Sequence, residues 1–366
     1  METPSQPLYF DNNATTAVDP RVVQAMLPTF TDNFGNPNSE HAYGWRASAA
    51  IQKARELVAA LIGAHSTEIE FTSGASASIR RALLDTESGH VITCVTEHAA
   101  TLDACIDRPD VTFLKVDSEG SITTEQILEA LKPNTKLVSL AHGNNEIGTL
   151  HPIREIGGAL RAIRPDVLFH VDAAQTAGKH EIDVEKMHID LLSLSAHKFH
   201  GPKGVGALYR RSTPGRRVHL REHHHGTPNV PGIVGLGAAC EIAKLEMARD
   251  RDHMTKLRDL IIETLTAIPQ ITLNGPRTER LCSNVNLTLE DIEPAMLLKD
   301  IAFSSASACT GATQSHVLKA IGLRTDNPLL SVVRFGLSRF TTEEEVSALL
   351  KRFRALTADA ASYAKS

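Results

Sequence analysis

Short apolar runs, each closed off by turn residues, restrict the folds open to this chain more than any other feature. They fall at Glu68–Thr72, Val91–Val95, Val111–Lys115, Leu137–Ala141, Leu168–Val171 and Leu191–Ser193. Strands buried on both faces read this way, as continuous apolar stretches rather than alternating ones. Helical spacing at Pro20–Thr31, Trp45–Leu61, Thr124–Leu131 and Ile153–Ile163 alternates with them. That alternation predicts βαβ units and a parallel sheet. From about Gly235 the character changes. A long helical stretch, Ile233–Ile268, carries the polar face Glu246–Arg251. Strand-like Ile271–Leu273 and Val285–Thr288, a helix at His316–Ile321 and a strand at Val332–Leu337 follow. These predict a second, smaller α/β domain closing over the first. No internal repeat is visible.

The 366 residues suffice for two domains, and the net charge of −5 gives no sign of direct nucleic-acid binding or membrane-surface attachment. Met1–Phe10 lacks the basic and apolar regions of a secretion signal, and no apolar run reaches the ~20 residues of a membrane span. A cytoplasmic protein is the expectation. The five cysteines, Cys94, Cys105, Cys240, Cys282 and Cys309, are odd in number, widely spaced and free of any CxxC pair, which argues against disulfides or zinc. Cys94 and Cys240 sit in apolar surroundings and read as packing residues. Cys309 lies in Ser304-Ser305-Ala306-Ser307-Ala308-Cys309-Thr310-Gly311, where little could bury it, so it is the candidate reactive thiol.

The run Ser193-Leu194-Ser195-Ala196-His197-Lys198-Phe199-His200-Gly201-Pro202-Lys203-Gly204 sets Lys198 in a polar loop after an apolar segment. Upstream, Phe169-His170-Val171-Asp172-Ala173-Ala174-Gln175 is a short strand ending in a carboxylate. Such a pair suits pyridoxal 5′-phosphate (PLP). The lysine forms the Schiff base, and the acid keeps the pyridine nitrogen protonated so that the ring accepts electrons. A lone lysine in a glycine loop is ordinarily a surface residue. The pairing with Asp172, and Ser195 and His197 just ahead of it, argue against that here. Phe71-Thr72-Ser73-Gly74-Ala75-Ser76 is a strand-to-helix turn whose N–H groups suit a phosphate. The pattern is common in α/β chains, but beside the Lys198–Asp172 pair it reads as the phosphate cradle, with Ser76 adding a hydroxyl.

His98, in Thr96-Glu97-His98, follows a strand end and could stack on a cofactor ring and shuttle protons. On position alone a solvated loop histidine is the simpler reading. Asn145, in Asn144-Asn145-Glu146, could bond the cofactor or a substrate, or merely shape a turn. His223-His224-His225 has the composition of a metal site, but adjacent side chains diverge, so no metal is expected. Arg334 lies in the apolar strand Val332–Leu337 and needs a carboxylate partner, supplied by an amino-acid substrate or by an internal Asp or Glu.

Taken together, these motifs resemble the NifS-like group I cysteine desulfurases, within class V of the fold-type-I PLP-dependent enzymes. The resemblance runs from Tyr9-Phe10-Asp11-Asn12-Asn13-Ala14-Thr15-Thr16 to Arg339-Phe340-Thr341-Thr342-Glu343-Glu344-Glu345 and includes Asn144–Thr149, His170–Gln175, Ser195–Lys198 and Ser304–Thr310. It implies a large PLP-binding domain over residues 14–250, with a mainly parallel seven-stranded sheet flanked by helices. Residues 1–13 and 251–366 form a smaller α/β domain carrying the Cys309 loop. The implied cofactor set is Lys198 in covalent linkage, Asp172 at the pyridine nitrogen and Gln175 at the phenolate oxygen. Gly74, Ala75, Ser76, Ser195 and His197 surround the phosphate, His98 stacks on the ring and Asn145 lies beside it. Thr227 would reach the phosphate of a neighbouring subunit, which implies a homodimer. Arg334, with Asn36 and Asn145, binds the substrate carboxylate, and Cys309 is the nucleophile. The implied activity is removal of sulfur from L-cysteine, giving L-alanine and a persulfide on Cys309 for transfer to an acceptor protein.

The chain departs from the family pattern in three places. The polar residues that usually follow the phosphate turn are replaced by Ser76-Ala77-Ser78-Ile79-Arg80. A glycine-rich run is shortened to Arg221-Glu222-His223-His224-His225-Gly226-Thr227. The sequence stops at Ser366, without the longer tail by which housekeeping members dock an iron–sulfur scaffold. These point to a dedicated sulfur pathway, for instance DNA phosphorothioation, beside iron–sulfur assembly. The alternatives are a selenocysteine lyase or aminotransferase on the same fold, or a degenerate, non-catalytic homologue.

Overall fold

The computed structural model describes residues 7–363 apart from 85, 87, 214–215, 219–225, 293, 295–299, 308–314, 325–326 and 328. Its strands are β1 (Leu8–Tyr9), β2 (Ile69–Thr72), β3 (His90–Cys94), β4 (Val111–Leu114), β5 (Thr135–Ala141), β6 (Leu168–Asp172), β7 (Leu191–Ser195), β8 (Gly206–Arg210), β9 (Ser212–Thr213), β10 (Arg216–Arg217), β11 (Ile271–Leu273), β12 (Asn284–Glu290), β13 (Ile301–Ala302), β14 (Ser304–Ser307) and β15 (Leu330–Gly336). Seven of them form one sheet in the order β2-β8-β7-β6-β5-β3-β4, in which only β8 runs against the rest. The mainly parallel seven-stranded sheet is therefore present. The expected strands recur with ends moved by one or two residues, and β8 is an addition that the apolar-run pattern does not single out.

Every residue of β3 and β7 is buried, which explains their lack of alternation. Two histidines sit inside the sheet because neighbouring strands satisfy both ring nitrogens. His90 lies between Thr135 Oγ1 and Thr112 Oγ1, each at 2.8 Å. His170 lies between Ser139 Oγ at 2.8 Å and Ser193 Oγ at 2.9 Å. Burial holds His170 down to about 3, so its ring is neutral. Cys94, Cys105, Cys240 and Cys282 are all free and buried.

The segment expected as one helix over Pro20–Thr31 is two, Pro20–Met26 and Pro28–Thr31. Pro28 has no N–H to continue the first helix, and it opens the second at the position that tolerates proline. Asp19 caps the first, its carboxylate accepting from Arg21 N at 2.8 Å.

A second core lies on a four-stranded antiparallel sheet, β11-β12-β15-β14. The helix Val230–Thr266 belongs to both cores. Ile233, Leu236 and Cys240 join the core on the large sheet, where the helix lies against Ala42–Ile62, and Met254, Leu257, Ile261 and Leu265 join the core on the small one. Between those faces, Asp250 pairs with Arg339 at 3.3 Å. The N-terminal segment also enters the second core, through Phe10 and the parallel β1–β13 pairing. At its centre Phe335 packs against the rings of Phe10, Phe303 and Phe353 at 6.0, 5.6 and 5.8 Å. Truncating so enclosed a ring leaves a cavity that close packing cannot collapse. Phe335→Ala is expected to lower the unfolding free energy by about 3–5 kcal/mol, read as the shift in a urea denaturation midpoint.

Candidate active site

The C-terminal ends of the parallel strands face one cavity of about 450 Å³. This is where open α/β sheets place ligands, because strand ends and helix starts leave backbone groups unpaired there. The turn after β2 brings Gly74, Ala75 and Ser76, the end of β3 brings Thr96 and His98, and β5 brings Asn144 and Asn145. The end of β6 brings Asp172 and Gln175, and that of β7 brings Ser195, His197 and Lys198. Ten residues expected at the cofactor site thus line a single space.

Lys198 reaches that space from the 196–205 connection between β7 and β8. Its Nζ donates to Asn13 O at 2.6 Å and to Ala14 O at 2.9 Å. Both acceptors are neutral, so burial dominates and lowers the amine to about 8. The positive fields of Lys179 and Arg334 add to this, and Asp172 and Asp11 oppose it. The loop is fixed on each side of the lysine. Thr16 N and Oγ1 donate to His197 O at 2.9 and 3.0 Å. His200, in the left-handed region at φ 67°, is held by Thr16 Oγ1, which accepts from His200 N at 2.8 Å, and its Nδ1 lies 2.9 Å from Ala17 O.

Asp172 is buried, and among the described residues it has no ion-pair partner. Burial raises its carboxyl above the ordinary value, against the hydrogen bond from Ala174 N and the fields of His98 and Lys198. Gln175 Nε2 donates to Asn13 O at 3.0 Å, while its Oε1 is buried without a partner. His98 caps the helix Ala99–Ile106, its Nδ1 accepting from Ala100 N at 3.1 Å, which leaves Nε2 to carry the hydrogen of a neutral ring. Behind it Glu97 is buried, and burial raises its carboxyl to about 8. His197 is lowered to about 4, by burial first and then by Lys198, Lys203 and Lys179.

The phosphate turn depends on a close backbone approach. Gly74 has φ 146°, and a Cβ on the facing Gly206 of β8 would lie 2.7 Å from Gly74 Cα and 2.4 Å from Leu194 O. Only glycine fits there. Ser78 keeps a polar tie behind the turn, its Oγ 2.8 Å from Thr72 Oγ1 and within reach of Gly74 O at 3.3 Å. The departure from the family's usual residues therefore does not leave the turn unbraced.

Three expected residues stand apart from this cavity. Arg334 pairs internally: Nη2 donates to Asp11 Oδ1 at 2.9 Å and to Ser304 Oγ at 2.6 Å, Nη1 donates to Asn145 O at 3.2 Å, and Nε is buried without a partner. Asn36 is exposed, with its Oδ1 accepting from Asn38 N at 3.0 Å. Thr227 lines a neighbouring cavity of about 480 Å³ with Arg55, Glu70 and Arg81. Cys309 and His223–His225 lie outside the described residues. Among the described residues no cluster of His, Cys, Asp and Glu could hold a metal, and no helix is long and apolar enough to cross a membrane. Residues the sequence reading passed over are Thr15, Thr96, Asn144 and Lys203 in the cavity, and Asn13 behind it. Asn144 and Lys203 sit inside motifs already singled out. Asn13 acts through its carbonyl, which no side-chain pattern reveals.

A family model for class-V aminotransferases matches residues 8–349. The chain is 46% identical over 370 residues to a protein named cysteine desulfurase IscS from Anaeromyxobacter sp. (strain Fw109-5), covering 94% of this chain and 91% of that one. Among solved structures, one titled NifS-like protein superposes with a TM-score of 0.87 at 34% identity, covering 96% of this chain and all of the other. Another, titled SspA in complex with cysteine, has a TM-score of 0.79 at 35% identity, covering 92% of this chain and all of the other.

The lowered amine of Lys198 has two expected consequences. Acylation of Lys198 in the cofactor-free chain, followed by peptide mass analysis, should reach half its maximal rate near pH 8, whereas surface lysines need the ordinary range around 10.5. The unfolded chain binds the extra proton between those values, so the contribution of Lys198 to stability rises with pH from about 8 to 10.5. A titration midpoint near 10.5 would contradict the burial described.

Proposed function

This chain belongs to the class-V aminotransferase family as one of its NifS-like cysteine desulfurases, and from that premise we propose that it is a cytoplasmic homodimer that takes sulfur from L-cysteine and passes it to an acceptor protein. The observation that carries the reading is a buried carboxylate without an ion-pair partner among the described residues, Asp172, facing the same cavity as a lysine with a lowered amine. PLP, the cofactor of this family, fits what these residues lack. Its ring nitrogen offers Asp172 a cation, its phenolate oxygen could accept the second hydrogen of Gln175 Nε2, the first being given to Asn13 O, and its phosphate suits the glycine cradle at 74–76. Lys198 would hold it covalently. Ser195 and His197 would hold the phosphate with Gly74, Ala75 and Ser76, and His98 and Asn145 would flank the ring. Thr227 would reach the phosphate held by a second copy of this chain. Residues 14–250 would form the PLP-binding domain, and 1–13 with 251–366 the smaller one.

Bound there, PLP supplies an electron sink for charge developing at the substrate Cα. The chain's own groups do the rest. Arg334 and Asn36 bind the substrate carboxylate, the unpartnered Nε of Arg334 being a donor still open to it. Lys198 Nζ takes the Cα proton and returns one, which its amine can do near neutral pH because burial favours the uncharged form. His98 Nε2 would move a proton at the cavity wall. The Cys309 thiolate attacks the substrate sulfur. An S–S bond forms as the C–S bond breaks, the electron pair stays with carbon, and protonation there yields L-alanine.

Incubation with L-cysteine followed by mass analysis is expected to add one sulfur atom to the peptide containing Cys309. Cys309→Ala should abolish alanine and sulfide formation while leaving the visible absorbance of bound PLP unchanged. Full desulfuration by that variant would point instead to another class-V reaction. Arg334→Ala should lower kcat/KM for L-cysteine by roughly a hundredfold or more through loss of the carboxylate contact.

A further inference from the structure

The turn after Gln175 doubles back beneath Lys198. Gly178, at φ 72°, lies so close to Phe199 that a Cβ on it would come within 2.9 Å of that ring, so the turn packs flat against the residue following Lys198. Its next residue is Lys179. This side chain is only 6% exposed, yet among the described residues no hydrogen bond or ion pair reaches its ammonium. Burying an ammonium without an anion is costly, and chains seldom keep one without use for it.

Lys179 and Lys198 line the same gap, about 20 Å³ and so able to hold on the order of one water. The other charged or titratable groups on this gap are His200, Asp250 and Arg339. Asp250 is no counter-ion for Lys179, because its carboxylate is engaged by Arg249 at 2.9 Å and by Arg339 at 3.3 Å. Burial and the positive groups around it hold His200 to about 4. Near Lys179 but off the gap, Cys282 is raised to about 11 and His180 lowered to about 3, mainly by burial, so neither supplies charge at neutral pH.

We propose that Lys179 is a positioning residue for Lys198, a second buried amine across a shared gap whose positive charge keeps the Lys198 nitrogen unprotonated and able to accept the substrate's proton. The inference rests on Lys198 being the lysine that joins PLP. Two ammonium groups facing one gap repel each other, and burial lowers Lys179 itself only to about 8, so at pH 7 it carries the charge that opposes a proton on Lys198. Of the charges acting on Lys198, that of Lys179 has the largest influence.

The test uses the full-length PLP-loaded protein and follows its visible absorbance against pH, which reads protonation at the nitrogen joined to Lys198. Lys179→Met should raise the midpoint by about one pH unit or more, since a repelling charge has been removed. Lys179→Arg, which keeps the charge, should leave the midpoint where the natural protein has it. Lys179→Met should also melt no lower than the natural protein at pH 7, because it removes an unpaired buried charge. A midpoint unmoved in Lys179→Met would overturn the proposal, as would failure of both Lys179→Met and Lys179→Gln to fold. Lys198→Ala separates the two layers. If it retains the pH-dependent band, the assignment of Lys198 fails. If it loses the band while Lys179→Met titrates like the natural protein, only the role of Lys179 fails.

Discussion

The hydrogen bonds from Lys198 Nζ to the main-chain carbonyls of Asn13 and Ala14 hold the site together. Those carbonyls belong to an N-terminal segment that also reaches the second core, Arg334, Gln175 and the lysine loop. Leu8 and Tyr9 pair with Ile301 and Ala302, Phe10 fills the second core, and Asp11 holds Arg334. Asn12 Nδ2 donates to Gly336 O at 2.9 Å, and Asn13 O also receives Gln175. Thr15 and Thr16 then secure His197 and His200. A run of nine residues, 8–16, therefore sets both where the lysine sits and where the arginine sits. Because the acceptors are carbonyls, the lysine gains position without gaining a counter-charge, and its amine stays low.

The electrostatics of the cavity follow from the same economy. Asp172 and Glu97 are buried carboxyls held above their ordinary values, and Lys198 and Lys179 are buried amines held below theirs. Groups shifted in opposite directions and crowded at one sheet edge are the signature of a site built for proton movement rather than for structural ion pairs. Structural ion pairs gather around Arg339, on the gap that Lys179 and Lys198 also line, where Asp19, Glu246 and Asp250 converge at 3.1–3.3 Å.

Much of this was legible in the residues because the relevant signals are local. The strand ends that deliver Asp172 and Lys198 are apolar runs followed by polar turns, and the sheet's parallel order turns that pattern into a single edge. β8 was not legible, since its strand character comes from pairing with β7 and from a glycine that permits close approach. The break at Pro28 was legible in principle, because proline denies the helix a donor. The role of Asn13 could not be read, since its backbone oxygen does the work. For Arg334, the sequence left open a substrate or an internal acid as partner. The fold supplies Asp11 from 323 positions away, a distance no sequence window spans.

The helix Val230–Thr266 carries a further consequence. Its 37 residues extend about 55 Å at the usual rise per residue, and its two ends are buried in different cores. The two lobes therefore share one continuous hydrogen-bonded rod, and a tilt of its end in the small lobe displaces its end in the large one by a route outside the site.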